Sequence, residues 1–157
     1  MKRIAAVVDN LGPTQSSFYL IKEFNKLVKD VEYSPVCFYN NLAPPVLKPF
    51  FSVMNISYYA NYYGVTVANS VETANLMLKT QNSSEKFFYV WDLEWLRNPL
   101  VFTDVVQIMR DENIQLIARS QYHKDLIEKY ANREVLGIVD NWNMEQLEEL
   151  VWTPAKS

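Results

Sequence analysis

Residues 3–14 read Arg3-Ile4-Ala5-Ala6-Val7-Val8-Asp9-Asn10-Leu11-Gly12-Pro13-Thr14, an apolar run that stops abruptly in a polar turn. A strand covered on both faces reads as a continuous apolar run, and a strand–turn–helix start is the opening unit of a parallel α/β domain. Ligands of open parallel sheets sit outside the carboxyl ends of the strands. Asp9, Asn10 and Gly12 are therefore candidate ligand-binding residues.

The same signature recurs along the chain. Residues 35–39, 50–54, 65–68, 87–91, 115–118 and 135–139 are further expected strands, most of them ended by Asn or Asp. Between them lie amphipathic helices. Leu20, Ile21, Phe24, Leu27 and Val28 form one apolar stripe behind a cap at Ser16 or Ser17. Asn69 with Glu72 resembles a capping box for a helix reaching residue 78. Asn98-Pro99 should open a helix running to about residue 112, with Val101, Val105, Ile108 and Met109 inward. Ser120 caps a helix carrying Leu126, Ile127 and Tyr130. Asn143 with Gln146 opens the last, with Leu147, Leu150 and Val151 inward. Residues 57–63 are a short helix or tight loop ended by Gly64, while Pro44, Pro45 and Pro49 forbid a regular helix after the second strand. The expected fold is α/β, a single three-layer domain with a mainly parallel sheet of about seven strands. It should occupy residues 1–152, with 153–157 as a tail; residues 81–85 look like a linker but are too short to separate domains.

Composition narrows the function. The 157 residues are 49% hydrophobic and 21% charged, with a net charge of −3, which suits a globular domain and argues against nucleic acid or an anionic membrane as partner. No apolar run approaches the roughly 20 residues of a membrane span. Cys37 is alone, so neither an intrachain disulfide nor a cysteine metal cluster is expected, and a cytoplasmic setting fits.

Strand tips supply the candidate chemistry: Asp9, Asn10, Asn40, Asn41, Asn55, Asn69, Asp92, Glu94, Arg119, Asp140 and Asn141. Parallel strands bring these to one rim, although Asn and Asp are also what turns and helix caps select. Three glycines cannot build G-x-G-x-x-G or G-x-x-x-x-G-K, so no dinucleotide or triphosphate site and no cofactor is expected. The turn around Gly12 could hold an anion at a helix N-terminus, or be an ordinary turn. His123 reads as a half-buried or capping histidine, and no second histidine exists for a metal pair. Asp92-Leu93-Glu94 can hold a divalent ion, but that pattern alone is weak and no metal is expected. Tyr58, Tyr59, Tyr62 and Tyr63 are either core packing or a stacking face. No Ser-His-acid or Cys-His pairing arises from spacing.

Several of these segments together resemble a known family. Val8-Asp9-Asn10-Leu11-Gly12-Pro13-Thr14 resembles the first strand and glycine loop of GT-B glycosyltransferases. Residues 64–74 resemble their G-x-x-I-A-T-S-x-x-T-A stretch. Residues 88–94 are similar to the Y-F-V-Q-D-Y-E strand of bacterial family-four transferases, with Trp91 in place of the glutamine. Residues 118–130 follow their next strand and helix. The resemblance covers roughly residues 2–140 and implies a Rossmann-like domain corresponding to the N-terminal, acceptor-side half of GT-B. It implies that Gly12 lines a cleft and that Asn69, Asp92, Glu94 and Ser120 flank the acceptor side, with a sugar or glycan as ligand. The family's nucleotide-sugar half has no counterpart in this sequence. Two expectations follow: a non-catalytic binding or interaction module, or an acceptor-binding subunit of a split glycosyltransferase. Either implies a second protein chain or a homo-oligomer.

Overall fold

A computed structural model describes residues 1–152, so the expected tail at 153–157 lies outside the described residues. One seven-stranded sheet, parallel throughout, runs in the order β3-β2-β1-β4-β5-β6-β7. The strands are β1 (Lys2–Val8), β2 (Tyr33–Tyr39), β3 (Ser52–Asn55), β4 (Gly64–Ala68), β5 (Ser84–Val90), β6 (Gln115–Ala118) and β7 (Gly137–Ile138). The helices are α1 (Gln15–Leu27), α2 (Val71–Lys79), α3 (Glu94–Arg97), α4 (Phe102–Met109), α5 (Gln121–Ala131) and α6 (Met144–Val151). This is a Rossmann-like three-layer domain: strand order runs outward from β1 in both directions, and order reverses between β1 and β4.

Period-two alternation in β1 divides the core. Ile4, Ala6 and Val8 join one cluster with Leu20, Ile21 and Phe24 of α1 and Leu147 and Val151 of α6. Ala5 and Val7 join the other, with Ala74 and Met77 of α2, Val105 and Met109 of α4 and Ile127 of α5. Ile4 through Val7 are fully buried, so β1 is an interior strand covered on both faces. Burying a side chain such as Ile4 stabilises by about 1.5–3 kcal/mol, which explains the unbroken apolar runs. The β2–β3 crossover has no helix, as its prolines require. Leu47 and Phe51 cover the α1 face instead, and Asn25 pins the segment, its carboxamide accepting from Phe50 N (2.7 Å) and donating to the Lys48 carbonyl (3.0 Å).

Several boundaries differ from the sequence reading, for local reasons. Thr14, not Ser16 or Ser17, caps α1, accepting from Ser17 N at 3.1 Å. Val28 is at the C-cap and 40% exposed rather than on the inner stripe. Ser70, not Asn69, caps α2, because Asn69 turns to Ser16. The helix expected from residue 98 starts as a 3-10 turn, Pro99–Val101, and ends at Met109, with α3 an additional turn before it. β5 begins inside the expected linker, at Ser84, and β7 is only two residues long. The tyrosine patch divides within and after the 3-10 helix Ile56–Asn61: Tyr59 and Tyr62 enter the core, whereas Tyr58 and Tyr63 are exposed.

Candidate carboxyl-edge site

Because all seven strands share one direction, the turns after them gather on one edge. Asp9 and Asn10 leave β1 there, Asn69 and Ser70 leave β4, Trp91 and Asp92 leave β5, Arg119 and Ser120 leave β6, and Asp140, Asn141 and Trp142 leave β7. The edge therefore carries the strand-tip candidates, whereas the tyrosine patch lies in Ile56–Asn61 and the residues leading into the start of β4.

At the tip of β1, Asp9 is held by two carboxamides. Its oxygens accept from Asn10 Nδ2 at 2.9 Å and Asn41 Nδ2 at 2.8 Å. Asn10 Oδ1 then accepts from Gly12 N at 2.8 Å, closing an Asx turn. A Cβ at Gly12 would sit 2.8 Å from that same oxygen, so glycine is required here by close approach. Gly12 is itself buried beneath this turn rather than presented as an open cradle.

The crevice between β1 and β4, where an open sheet of this kind takes its ligand, is bridged from inside the chain. Ser16 Oγ, in the first turn of α1, accepts from Asn69 Nδ2 at 3.0 Å and from Trp142 Nε1 at 3.1 Å. Trp142 is fully buried, edge-on to Phe24 and Tyr89. To reach this position the backbone takes left-handed angles at two consecutive residues, Asn141 (φ 45°) and Trp142 (φ 60°). Such angles cost about 1–3 kcal/mol each outside glycine and persist only where packing over-determines them. The Tyr89 hydroxyl donates to the Val139 carbonyl and accepts from Trp142 N, and burial pushes its pKa upward.

On the β5–β6 side, Asp92 pairs with Arg97 at 3.0 Å. Glu94 does not stand beside it as a second metal ligand: Glu94 Oε2 reaches across to accept from Val71 N at 2.9 Å, capping α2 from another element. Among the described residues no cluster of His, Cys, Asp and Glu has metal-holding geometry. Ser120 caps α5, accepting from His123 N at 3.1 Å. The Arg119 guanidinium lies 3.9 Å from the centroid of the Trp91 ring and donates to the Trp91 carbonyl at 3.4 Å. His123 Nδ1 is buried with no hydrogen-bond partner among the described residues. Burial, then the Arg119 charge, hold the His123 pKa below its usual value.

Around this polar floor stand exposed apolar side chains: Phe18 on α1, Leu42 after β2, Leu96 and Leu100 after β5, and Tyr122 on α5. Leu100 is 92% and Leu42 86% exposed. A separate groove of about 520 Å³ lies on the flank between α2 and α4, lined by Leu78, Val101 and Ile108 with Glu72, Asp104 and Asp111. It includes none of the predicted site residues.

Asp9, Asn10 and Gly12 thus form one unit and Asn69 a second with Ser16, whereas Asp92, Glu94 and Ser120 each engage a different element. Trp142 was not singled out in sequence, and Ser16 only as a candidate cap of α1. Trp142 had a signal, an aromatic directly after the Asp140-Asn141 stop; Asn141 tolerates the left-handed angle it adopts, but the same angle at Trp142 is one its residue type does not announce. No family model, curated protein or solved structure matches the chain. No helix among the described residues is long and apolar enough to cross a membrane.

Proposed function

We propose that this chain is a glycosyltransferase-like binding module that engages a ligand or partner chain at the carboxyl edge of its sheet and is not a self-sufficient catalyst. One observation carries the reading: three of the four strand-tip carboxylates, all but the exposed Asp140, are engaged in holding the edge together. Asp9 orders the β1 turn, Asp92 pairs with Arg97, and Glu94 caps α2. A general base must instead be within reach of a substrate proton. The exposed leucines and aromatics around the same edge support a protein partner, since apolar groups grouped around a polar floor mark interaction surfaces.

A second reading, the acceptor-binding subunit of a split glycosyltransferase, draws on the amide-rich tip of β1. Asn41 and Asn69 each use one Nδ2 bond within the chain, to Asp9 and Ser16, and keep a carboxamide oxygen as an acceptor of the kind that hydroxyl-rich ligands use. The test is a backbone-amide NMR titration with neutral oligosaccharides, alongside sedimentation of the chain alone. Shifts at residues 9–12, 41 and 69–70 support a glycan ligand at this edge. Self-association lost in Leu100→Glu supports docking through it. Neither effect at any accessible concentration refutes the proposal.

A further inference from the structure

Among the described residues, charge pairing around the edge leaves two groups over, the exposed Asp140 carboxylate after β7 and the Arg119 guanidinium after β6. Asp9, Asp92 and Glu94 each have polar partners, but Arg119 has no carboxylate within ion-pair distance among the described residues. Its guanidinium lies against the Trp91 ring, and a single long bond to the Trp91 carbonyl uses one of its five N–H donors. A stacked guanidinium keeps its planar fork free for oxyanions, which is how arginine recognises phosphate. Arg119 is half-buried, which strengthens its field while leaving it reachable. Gln121 and Tyr122 lie in the first turn of α5, immediately after the Ser120 cap, where backbone N–H groups have no acceptor inside the helix. They lie on the same edge, so donors from the side chain and the backbone suit a tetrahedral anion with several acceptor oxygens.

We propose that Arg119, laid on Trp91 beside His123, is the recognition group for the phosphate of a small ligand bound at the carboxyl edge. The proposal rests on the reading of that edge as a binding surface and supplies the chemistry of its ligand. His123 is the chain's sole histidine, so it provides an isolated reporter. The charged groups acting on it are Arg119, after β6, and Asp92, after β5; the Val90 carbonyl acts in the same sense as Asp92. Bound phosphate offsets the Arg119 charge and should raise the pKa of the imidazole.

The experiment follows the His123 imidazole proton by NMR across pH, with inorganic phosphate, with malonate and with a neutral oligosaccharide in separate arms. Phosphate should raise the His123 pKa and malonate should do so less. In Arg119→Ala the free protein should titrate higher than wild type, and phosphate affinity should fall about tenfold or more, the scale of a lost charged hydrogen bond. Arg119→Lys keeps the charge without the fork; it should fold even if the alanine variant does not, and should bind phosphate more weakly than wild type. Phosphate that leaves His123 unmoved in wild type, or that moves it equally in the Arg119 variants, overturns the proposal. Oligosaccharide shifts at the edge with no phosphate response would refute this proposal and leave the edge reading intact. A phosphate response without any oligosaccharide response would uphold it and remove the glycan.

Discussion

Ser16→Ala should destabilise the protein far more than a serine in a helix's first turn ordinarily does. The hydroxyl receives two donors from elements remote in sequence, Asn69 after β4 and Trp142 after β7. Trp142 is fully buried, so its indole N–H would be left unpaired at about 1–3 kcal/mol. Asn69 is only half-buried and can turn to water, so its loss is worth about 0.5–1 kcal/mol. Together these give about 1.5–4 kcal/mol, or a drop in Tm of roughly 3–16 °C for a domain of this size. Urea unfolding followed by circular dichroism measures the single variants and a cycle with Trp142→Phe, which removes the donor while keeping an aromatic ring. The two substitutions should be less than additive by about 1 kcal/mol. Additivity within about 0.5 kcal/mol would refute the bridge across the β1–β4 crevice.

Further outcomes follow from other positions. Gly64 has φ +130°, and an added Cβ would lie 2.8 Å from Arg3 Cβ and 2.9 Å from the Arg3 carbonyl oxygen, so Gly64→Ala should cost about 1–3 kcal/mol or more in chemical unfolding; a neutral effect would contradict the β1–β4 register. Burial raises the pKa of Cys37, of Tyr62 (to about 12) and of Tyr89. A weak acid raised in the folded state stabilises fully below its unfolded pKa and loses that contribution as pH rises. Stability should therefore begin to fall above pH ~8.5 as the unfolded thiol ionises, approaching ~1.4 kcal/mol per pH unit, and steepen above pH ~10 as the tyrosines join. Cys37→Ala should remove the first part of that slope in unfolding curves taken at several pH values, and an unchanged slope would count against the burial of the thiol. Leu100→Glu, at a side chain 92% exposed, should change stability by less than about 0.5 kcal/mol while abolishing association through the edge, as sedimentation would detect.

The architecture was legible because its signals are redundant. Unbroken apolar strands, polar stops and capped amphipathic helices all require a parallel sheet covered on both faces, and slips at single boundaries leave that unchanged. The caps of α5 and α6 were readable at Ser120 and Asn143, where one polar side chain stands immediately before the helical pattern. Those of α1 and α2 were not, because Thr14, Ser16 and Ser17, or Asn69 and Ser70, compete for one role, and a long-range partner decides between them. Asn69 is drawn away by Ser16, which is itself fixed by Trp142. The tyrosines show the same limit: helical spacing groups four of them, but only packing against Phe38 decides that Tyr59 and Tyr62 go inward. At the edge, the sequence gathers the candidates but not their pairings. Glu94 reads as a neighbour of Asp92 and instead caps a helix from another β–α unit.

The claim that the carboxyl edge is the binding surface is tested most directly by mapping backbone-amide shifts over the whole chain as phosphate and oligosaccharides are added. The expected shifts fall at residues 9–12, 41–42, 69–70, 91–100 and 119–123, with the flank between α2 and α4 unmoved. Ligand-induced shifts confined to Leu78, Gln107, Ile108 and Asp111 of that flanking groove, with the strand tips silent, would contradict it.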